Sequence, residues 1–412
     1  MSSVATSVSP PLGFSLRLRL SVLMFLEFAV WGSYFVVLGN YLEHLKFSKL
    51  QAGTMYSLIP LGAILSTMFA GQLADRYFAS QKLMGWLHLG GAGLLYWMAQ
   101  IQDVNQFALL VAVTLAYSLL YNPTLALANS ITFAHVPNGE RDFPGLRVLG
   151  TIGWIAVNLI VGRVLSTPEQ PAYHTNSPLL LGAALSLALG IFSFTLPHTP
   201  PTGKAGDKMP FLQAVGLLKN PSFAVFFGVS LVITIVLAFY YSFTGQYLEQ
   251  GQGVKDVAST MTIGQMAEMV LLPFLPFFLR HMGMKWVLAV GMASWGLRYA
   301  FFALGDPFAL VLLGVALHGF CFDFFFAAGF IHVDNTAPKA IRASGQALFS
   351  FLTYGVGMYL GSVLSGWVAQ FYTDAATRTT NWTGFWIVPC VGVILSLAVF
   401  VLFFRPPAKS AG

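Results

Sequence analysis

The chain has 412 residues, 56% of them hydrophobic and only 9% charged, with a formal net charge of +6. A soluble protein must wet its outside, and apolar runs of about 20 residues recur along this one without charged faces, which excludes a soluble helical bundle. The two cysteines, Cys321 and Cys390, offer neither metal-ligand spacing nor a disulfide framework, and neither a metal nor a cofactor is expected.

Residues 1–16, MSSVATSVSPPLGFSL, lack the charged start and cleavage site of a signal peptide and read as a cytoplasmic tail. Spans follow near 17–41, 50–73, 82–101, 105–133, 144–165, 177–196, 221–248, 257–280, 285–304, 307–333, 340–371 and 384–404. The expected fold is an all-α integral membrane protein, with twelve transmembrane helices in two six-helix halves. The first half covers 17–196, a central loop 197–220, the second half 221–404 and a C-terminal tail 405–412. Lys and Arg set the orientation: 15 lie in loops on the side of the N-terminus, 5 in the opposite loops, and Arg298 lies inside a helix. Both termini and the central loop are therefore expected in the cytoplasm. The positive charge records topology and gives no reason to expect a nucleic-acid partner.

The first span carries Glu27, Trp31 and Tyr34 on one face, an acid beside aromatic rings. A charged carboxylate at mid-helix costs roughly 2.5–3.5 kcal/mol on insertion scales, so such acids usually face a cavity or a partner and mark a substrate or proton path. The loop after the second span reads GQLADRYFASQK and contains Gly71, Asp75 and Arg76 in a G-x-x-x-D-R pattern. In the fourth span Tyr117, Tyr121 and Thr124 surround Pro123, as suits a bending helix or plain packing. The fifth places Arg147, Thr151, Trp154 and Asn158 on one face, a stripe able to hydrogen-bond a polar solute and stack on a planar ring. Arg147 alone also reads as a residue snorkelling from a helix end.

In the seventh span Tyr240, Tyr241, Ser242 and Thr244 form a polar aromatic patch, with Tyr241 expected to face inward. The eighth span, TIGQMAEMVLL, puts Thr262, Gln265 and Glu268 on one arc, an amide, a hydroxyl and a carboxylate for a polyhydroxylated ligand. Arg298 in the ninth is placed to lock Asp323 of the tenth in an ion pair; the other reading of Asp323 is a proton relay. His318 and Phe322 lie one turn apart beside that acid, and His318 adds a titratable group. RASGQALF opens the eleventh span as RVLGTIGW opens the fifth, an Arg followed by a Gly three residues on, which is an internal echo of the two halves.

Several blocks together carry a resemblance: FAVWGSYFVVLGNYL, RDFPGLRVLGTIGW, FTLPHTP, IGQMAE, LRYAFFALGDP and FCFDFFFAAGFIHVD followed by PKAIRASGQALF. The chain resembles the bacterial nucleoside:proton symporters of the major facilitator superfamily from about residue 17 to 404. The resemblance implies nucleoside uptake driven by inward proton flow through alternating access, by a monomer in the cytoplasmic (inner) membrane. It implies substrate contacts at Arg147, Thr151, Trp154, Gln265, Glu268, His318 and Phe322, and a proton-coupling role for Asp323; the expense of buried charge, apart from the resemblance, makes Glu268 and Glu27 further coupling candidates. It also implies that Gly71, Asp75 and Arg76 stabilise one conformation without touching substrate. The chain departs from the family at His318, where a tyrosine is expected, at Glu27, where a glutamine is expected, and on the seventh span, at Ala238 and Tyr241.

One proton moving inward through 100 mV releases about 2.3 kcal/mol, enough to concentrate a neutral solute roughly 40-fold. No Walker-type phosphate loop is present to suggest ATP drive, and no nucleophile stands beside a base as an enzyme would need. The rival readings are a proton-coupled sugar or oligosaccharide symporter of the same superfamily, a drug exporter, which the polar stripes disfavour, and a membrane-embedded sensor, which would need an output domain.

Overall fold

Apolar side chains all round a helix leave it nowhere to go but a protein interior or lipid. The computed structural model describes residues 11–67, 77–167, 169–201 and 210–405, and nearly all of them are helical. Eight continuous helical runs among the described residues are long and apolar enough to cross a bilayer: Phe14–His44, Val104–His135, Gly139–Val164, Pro221–Gly251, Val257–Leu304, Phe308–Thr336, Lys339–Phe371 and Trp382–Phe403. The 48-residue run Val257–Leu304 turns back at Gly283, whose φ of 75° and ψ of 164° break the helix.

We label the segments α1 (Phe14–His44), α2 (Lys49–Thr67), α3 (Ser80–Gln100), α4 (Phe107–His135), α5 (Gly139–Val164), α6 (Ser177–Ser193), α7 (Pro221–Gly251), α8 (257–282), α9 (284–304), α10 (Phe308–Thr336), α11 (Lys339–Phe371) and α12 (Trp382–Phe403). Over the described residues the expected spans match these segments to within a few residues at their ends; the end of the second, expected at 73, lies outside the described residues. The loop with Gly71, Asp75 and Arg76 lies outside the described residues.

Local chemistry sets the ends. Asn138, Asn220, Asp256 and Asn381 accept backbone N–H groups at the starts of α5, α7, α8 and α12. Gly305, at φ 75°, closes α9. Large apolar side chains remain outward-facing all over the molecule, among them Trp86, Trp367, Phe371 and Leu402. So much exposed apolar surface is what lipid contact requires.

Packing divides the segments into an N-terminal group, α1–α6, and a C-terminal group, α7–α12. Within the first, α1 packs on α5 and α6, and α3 on α4 and α6. Within the second, α9 packs on α12, and α7 on α11 and α12. Three seams join the groups: α2 on α11, α5 on α8, and the ends of α1 and α7. The α2–α11 seam is close because both helices present glycine: a Cβ on Gly53 would stand 2.6 Å from the Cα of Gly366. One apolar core runs through both groups, and a smaller cluster of Leu20, Met24, Leu83, Ile131 and Leu189 fills the N-terminal group near the chain start. The end of the molecule opposite the start of α1 is called distal below.

Candidate functional site

The two groups meet at mid-helix around Glu268 of α8. Its carboxylate is 21% exposed and accepts no side-chain hydrogen bond among the described residues; His318 Nε2 of α10 stands 4.0 Å away. Arg147 of α5 belongs to the other group; its guanidinium lies 4.1 Å over the Phe28 ring and has no hydrogen bond among the described residues. Arg147, Tyr241, Tyr354 and Asp323 all lie within electrostatic reach of Glu268. An acid and a base held near each other, one from each group, and neither hydrogen-bonded, leave directional capacity free for a solute.

The walls are aromatic. Trp154 of α5 meets Trp31 of α1 edge to face at 5.3 Å, in space that Gly32 leaves open, since a Cβ there would touch the Trp154 ring at 3.0 Å. Phe35 packs on Trp154 at 6.2 Å and reaches across to Tyr241 of α7 at 5.7 Å. Tyr241 in turn lies 6.2 Å from His318, and His318 stacks on Phe322 at 5.8 Å. Thr151 is half-buried one turn from Arg147. Polar atoms are left over beside these walls: Trp31 Nε1, Trp154 Nε1, Gln265 Oε1, His318 Nδ1 and Asp323 Oδ2 are buried without a hydrogen-bond partner among the described residues. Buried polar groups are nearly always paired, so unpaired ones from both groups around one place point to something that binds there.

Asp323 is 1% exposed and starts a π-helical turn, Asp323–Ala327. Wide turns of this kind often mark functional sites in helices. The ion pair expected with Arg298 is not formed. Arg298 instead donates Nε to the Gly314 carbonyl at 2.9 Å, and its guanidinium lies 4.2 Å over Tyr240 and 4.8 Å over Trp295. Its reach is spent toward α7 and the start of α10, while Asp323 sits further along α10.

Glu27 also departs from the cavity reading. It is fully buried, with both carboxylate oxygens engaged: Oε1 accepts from Thr124 Oγ1 at 2.7 Å, and Oε2 lies 3.0 Å from His88 Nε2. Tyr121 OH donates to the Glu27 carbonyl at 2.7 Å. Ser186 Oγ donates to the His88 carbonyl at 2.9 Å, so at 3.1 Å it can only accept from His88 Nδ1. The imidazole thus carries a hydrogen on Nδ1. The network ties α1, α3, α4 and α6 together inside the N-terminal group. Tyr121 and Thr124, read as parts of a bending helix, are its fasteners, and Asn158 turns its amide back to the Trp154 carbonyl at 2.9 Å.

The sequence reading missed His88, Gln346 and Tyr354. His88 is a lone histidine in a helix, and its partner is 61 residues away. Gln346 lies in RASGQALF, a block quoted only for its Arg and Gly, and donates Nε2 to the Phe330 carbonyl at 2.9 Å.

Two groups of helices around a polar centre at mid-membrane define the class: a secondary transporter of major facilitator fold, embedded in the membrane and crossing it many times. A solved peptide transporter and a solved D-xylose–proton symporter, each 14% identical to this chain, share that fold with TM-scores of 0.74 and 0.69. Within the class, the chain belongs to the nucleoside H+ symporter family, whose sequence profile it matches over residues 14–409. It is 40% identical to YegT of Escherichia coli (strain K12), over 94% of this chain and 93% of that one. It is 32% identical to the xanthosine permease of Escherichia coli (strain K12), over 94% and 96%. The crystal structure of the nucleoside transporter NupG superimposes with a TM-score of 0.86 at 30% identity, over 95% of this chain and all (100%) of that one.

Proposed function

We propose that this protein imports nucleosides together with protons, by alternating access between its two six-helix groups. The groups correspond to residues 17–196 and 221–404, joined by the cytoplasmic loop 197–220. It works as a monomer in the bacterial inner membrane, crossing it twelve times, with both termini in the cytoplasm and the distal end outside. The distribution of Lys and Arg over the loops supports that orientation.

The observation that carries the reading is Glu268, an acid at mid-helix whose side chain is partly exposed and free of side-chain hydrogen bonds among the described residues, with Arg147 of the other group within electrostatic reach. Ribose hydroxyls suit Glu268, Gln265, Thr151 and Arg147, and the base suits a slot between Trp154, Tyr241 and Phe322, with His318 at its edge. Glu268 and Asp323 take up the coupled proton, a step that removes charge from the bilayer core before the groups rock. Gly71, Asp75 and Arg76 hold one conformation of the N-terminal group. Uptake into proteoliposomes under an imposed pH gradient, with uridine, cytidine, adenosine, guanosine, xanthosine and a set of sugars as competitors, tests this. Gradient-driven accumulation of a nucleoside is expected. Displacement by sugars and not by nucleosides would replace the reading with a sugar symporter.

A further inference from the structure

The distal end carries a repeat too short to stand out in so apolar a chain. Residues 39–43 read GNYLE at the end of α1, and residues 245–249 read GQYLE at the end of α7. The two stretches lie against each other, and their contacts are reciprocal. Asn40 Nδ2 donates to the Gly245 carbonyl at 3.0 Å, and Gln246 Nε2 donates to the Gly39 carbonyl at 2.9 Å. A Cβ on Gly39 would stand 2.9 Å from Gln246 Nε2, and one on Gly245 would stand 2.4 Å from Asn40 Oδ1. Glycine at both places is what lets the helices come this near.

The acids of the repeat extend the reciprocity one turn on. Glu43 of α1 accepts from Arg378 Nη2 at 3.1 Å, in the connection between α11 and α12. Glu249 of α7 meets His174 Nε2 at 2.5 Å, in the connection between α5 and α6. Each glutamate therefore crosses to a basic residue on the corresponding connection of the other group. Further contacts join in. Asn40 Nδ2 also reaches Glu249 Oε2 at 2.6 Å, and the buried Lys49 links Glu43 at 3.0 Å to Gln246 Oε1 at 2.5 Å. His44 stacks on His174 at 4.5 Å, Tyr173 OH donates to the Lys255 carbonyl at 2.9 Å, and Arg163 lies 3.6 Å from Asp256.

We propose that the duplicated G-[N/Q]-Y-L-E stretch is the gate of the distal face, two copies of one clasp that hold this face shut here and part together to admit solute. The proposal rests on the alternating-access reading. Its logic is that of a two-fold duplicated molecule, in which one motif meets its own copy across the axis, as expected where repeats of a transporter close on each other. Asn40, Lys49 and Gln246 are buried in this closed state, and opening exchanges each of their contacts for hydrogen bonds to solvent, so each contributes only the net of that exchange. The closed state therefore depends on their number, and the gate can open at thermal cost.

Nitroxide labels on Gln106→Cys and Asp306→Cys, exposed residues of the α3–α4 and α9–α10 connections, report the distal opening by pulsed electron resonance, with Cys321 and Cys390 replaced by Ala. The short distance should dominate in the otherwise unchanged protein. Asn40→Ala with Gln246→Ala should raise the share of the long distance about tenfold, the scale of two ordinary hydrogen bonds. Arg378→Ala, on a connecting loop, should shift it the same way by less, and carries the test alone where the double variant does not fold. Unchanged distance distributions would overturn the clasp. Absence of nucleoside uptake by the unaltered protein would instead remove the import reading, with the distances still reporting whether the clasp holds this face.

Discussion

Three acids lie deep in the membrane, and the two groups of helices treat them in opposite ways. In the N-terminal group both carboxylate oxygens of Glu27 are engaged, by Thr124 and His88, and the side chain is fully buried. In the C-terminal group Glu268 has no hydrogen bond and is partly open, and Asp323 keeps a buried oxygen without a partner. A satisfied acid stiffens a bundle; an unsatisfied one stores a demand that a solute or a proton can meet. Burial alone therefore does not separate the three acids, whereas unfilled hydrogen-bonding capacity does.

That contrast is easiest to break at Glu268. Glu268→Gln should abolish concentration of nucleoside under a pH gradient, from as much as about 40-fold to none, while the protein still purifies in folded form. Retention of gradient-driven accumulation would show that the bare acid is not the coupling group. Asp323→Asn should come next, cutting net accumulation about tenfold while leaving nucleoside exchange across the membrane, which needs no proton cycle, measurable by counterflow. Trp154→Ala should weaken nucleoside binding, read by isothermal titration, by roughly three- to tenfold, the range of an aromatic stacking contact.

The N-terminal network should respond in stability and not in coupling. Thr124→Ala or His88→Ala leaves Glu27 with an unfilled oxygen in a sealed place, a loss of about 1–3 kcal/mol that thermal unfolding in detergent would register. Glu27→Gln should do least of all, since an amide can donate to His88 Nε2 and accept from Thr124. Accumulation ratio and unfolding temperature should both stay near those of the unaltered protein. A collapse of the proton gradient dependence in this variant would place Glu27 beside Glu268 and erase the contrast.

Much of this was legible in the chain. Hydropathy marked the helices, since nothing else explains runs so apolar, and the expense of charge in lipid singled out Glu27, Glu268 and Asp323. Helical spacing grouped Arg147 with Trp154, and Gln265 with Glu268, because residues this far apart share one face of one helix. Spacing says nothing of what faces that helix. It could not show that Glu27 meets His88 on α3, or that Arg298 turns toward Gly314 and away from Asp323. The GNYLE and GQYLE copies escaped because five residues of common type repeat by chance; only their contact gives the repeat meaning.

The π-helical turn that begins at Asp323 has a consequence for how this molecule can vary. Such a turn holds one residue more than an ordinary helical turn, so a surplus residue is stored within Asp323–Ala327. Deleting one of its three phenylalanines would let the turn close to ordinary helix while the segment beyond it keeps its facing. His332 and Val333, packed inside, would stay there, whereas the same deletion in a regular turn would rotate them by about 100°. Loss of a single link should therefore prove far more tolerable inside this one turn than anywhere else along α10.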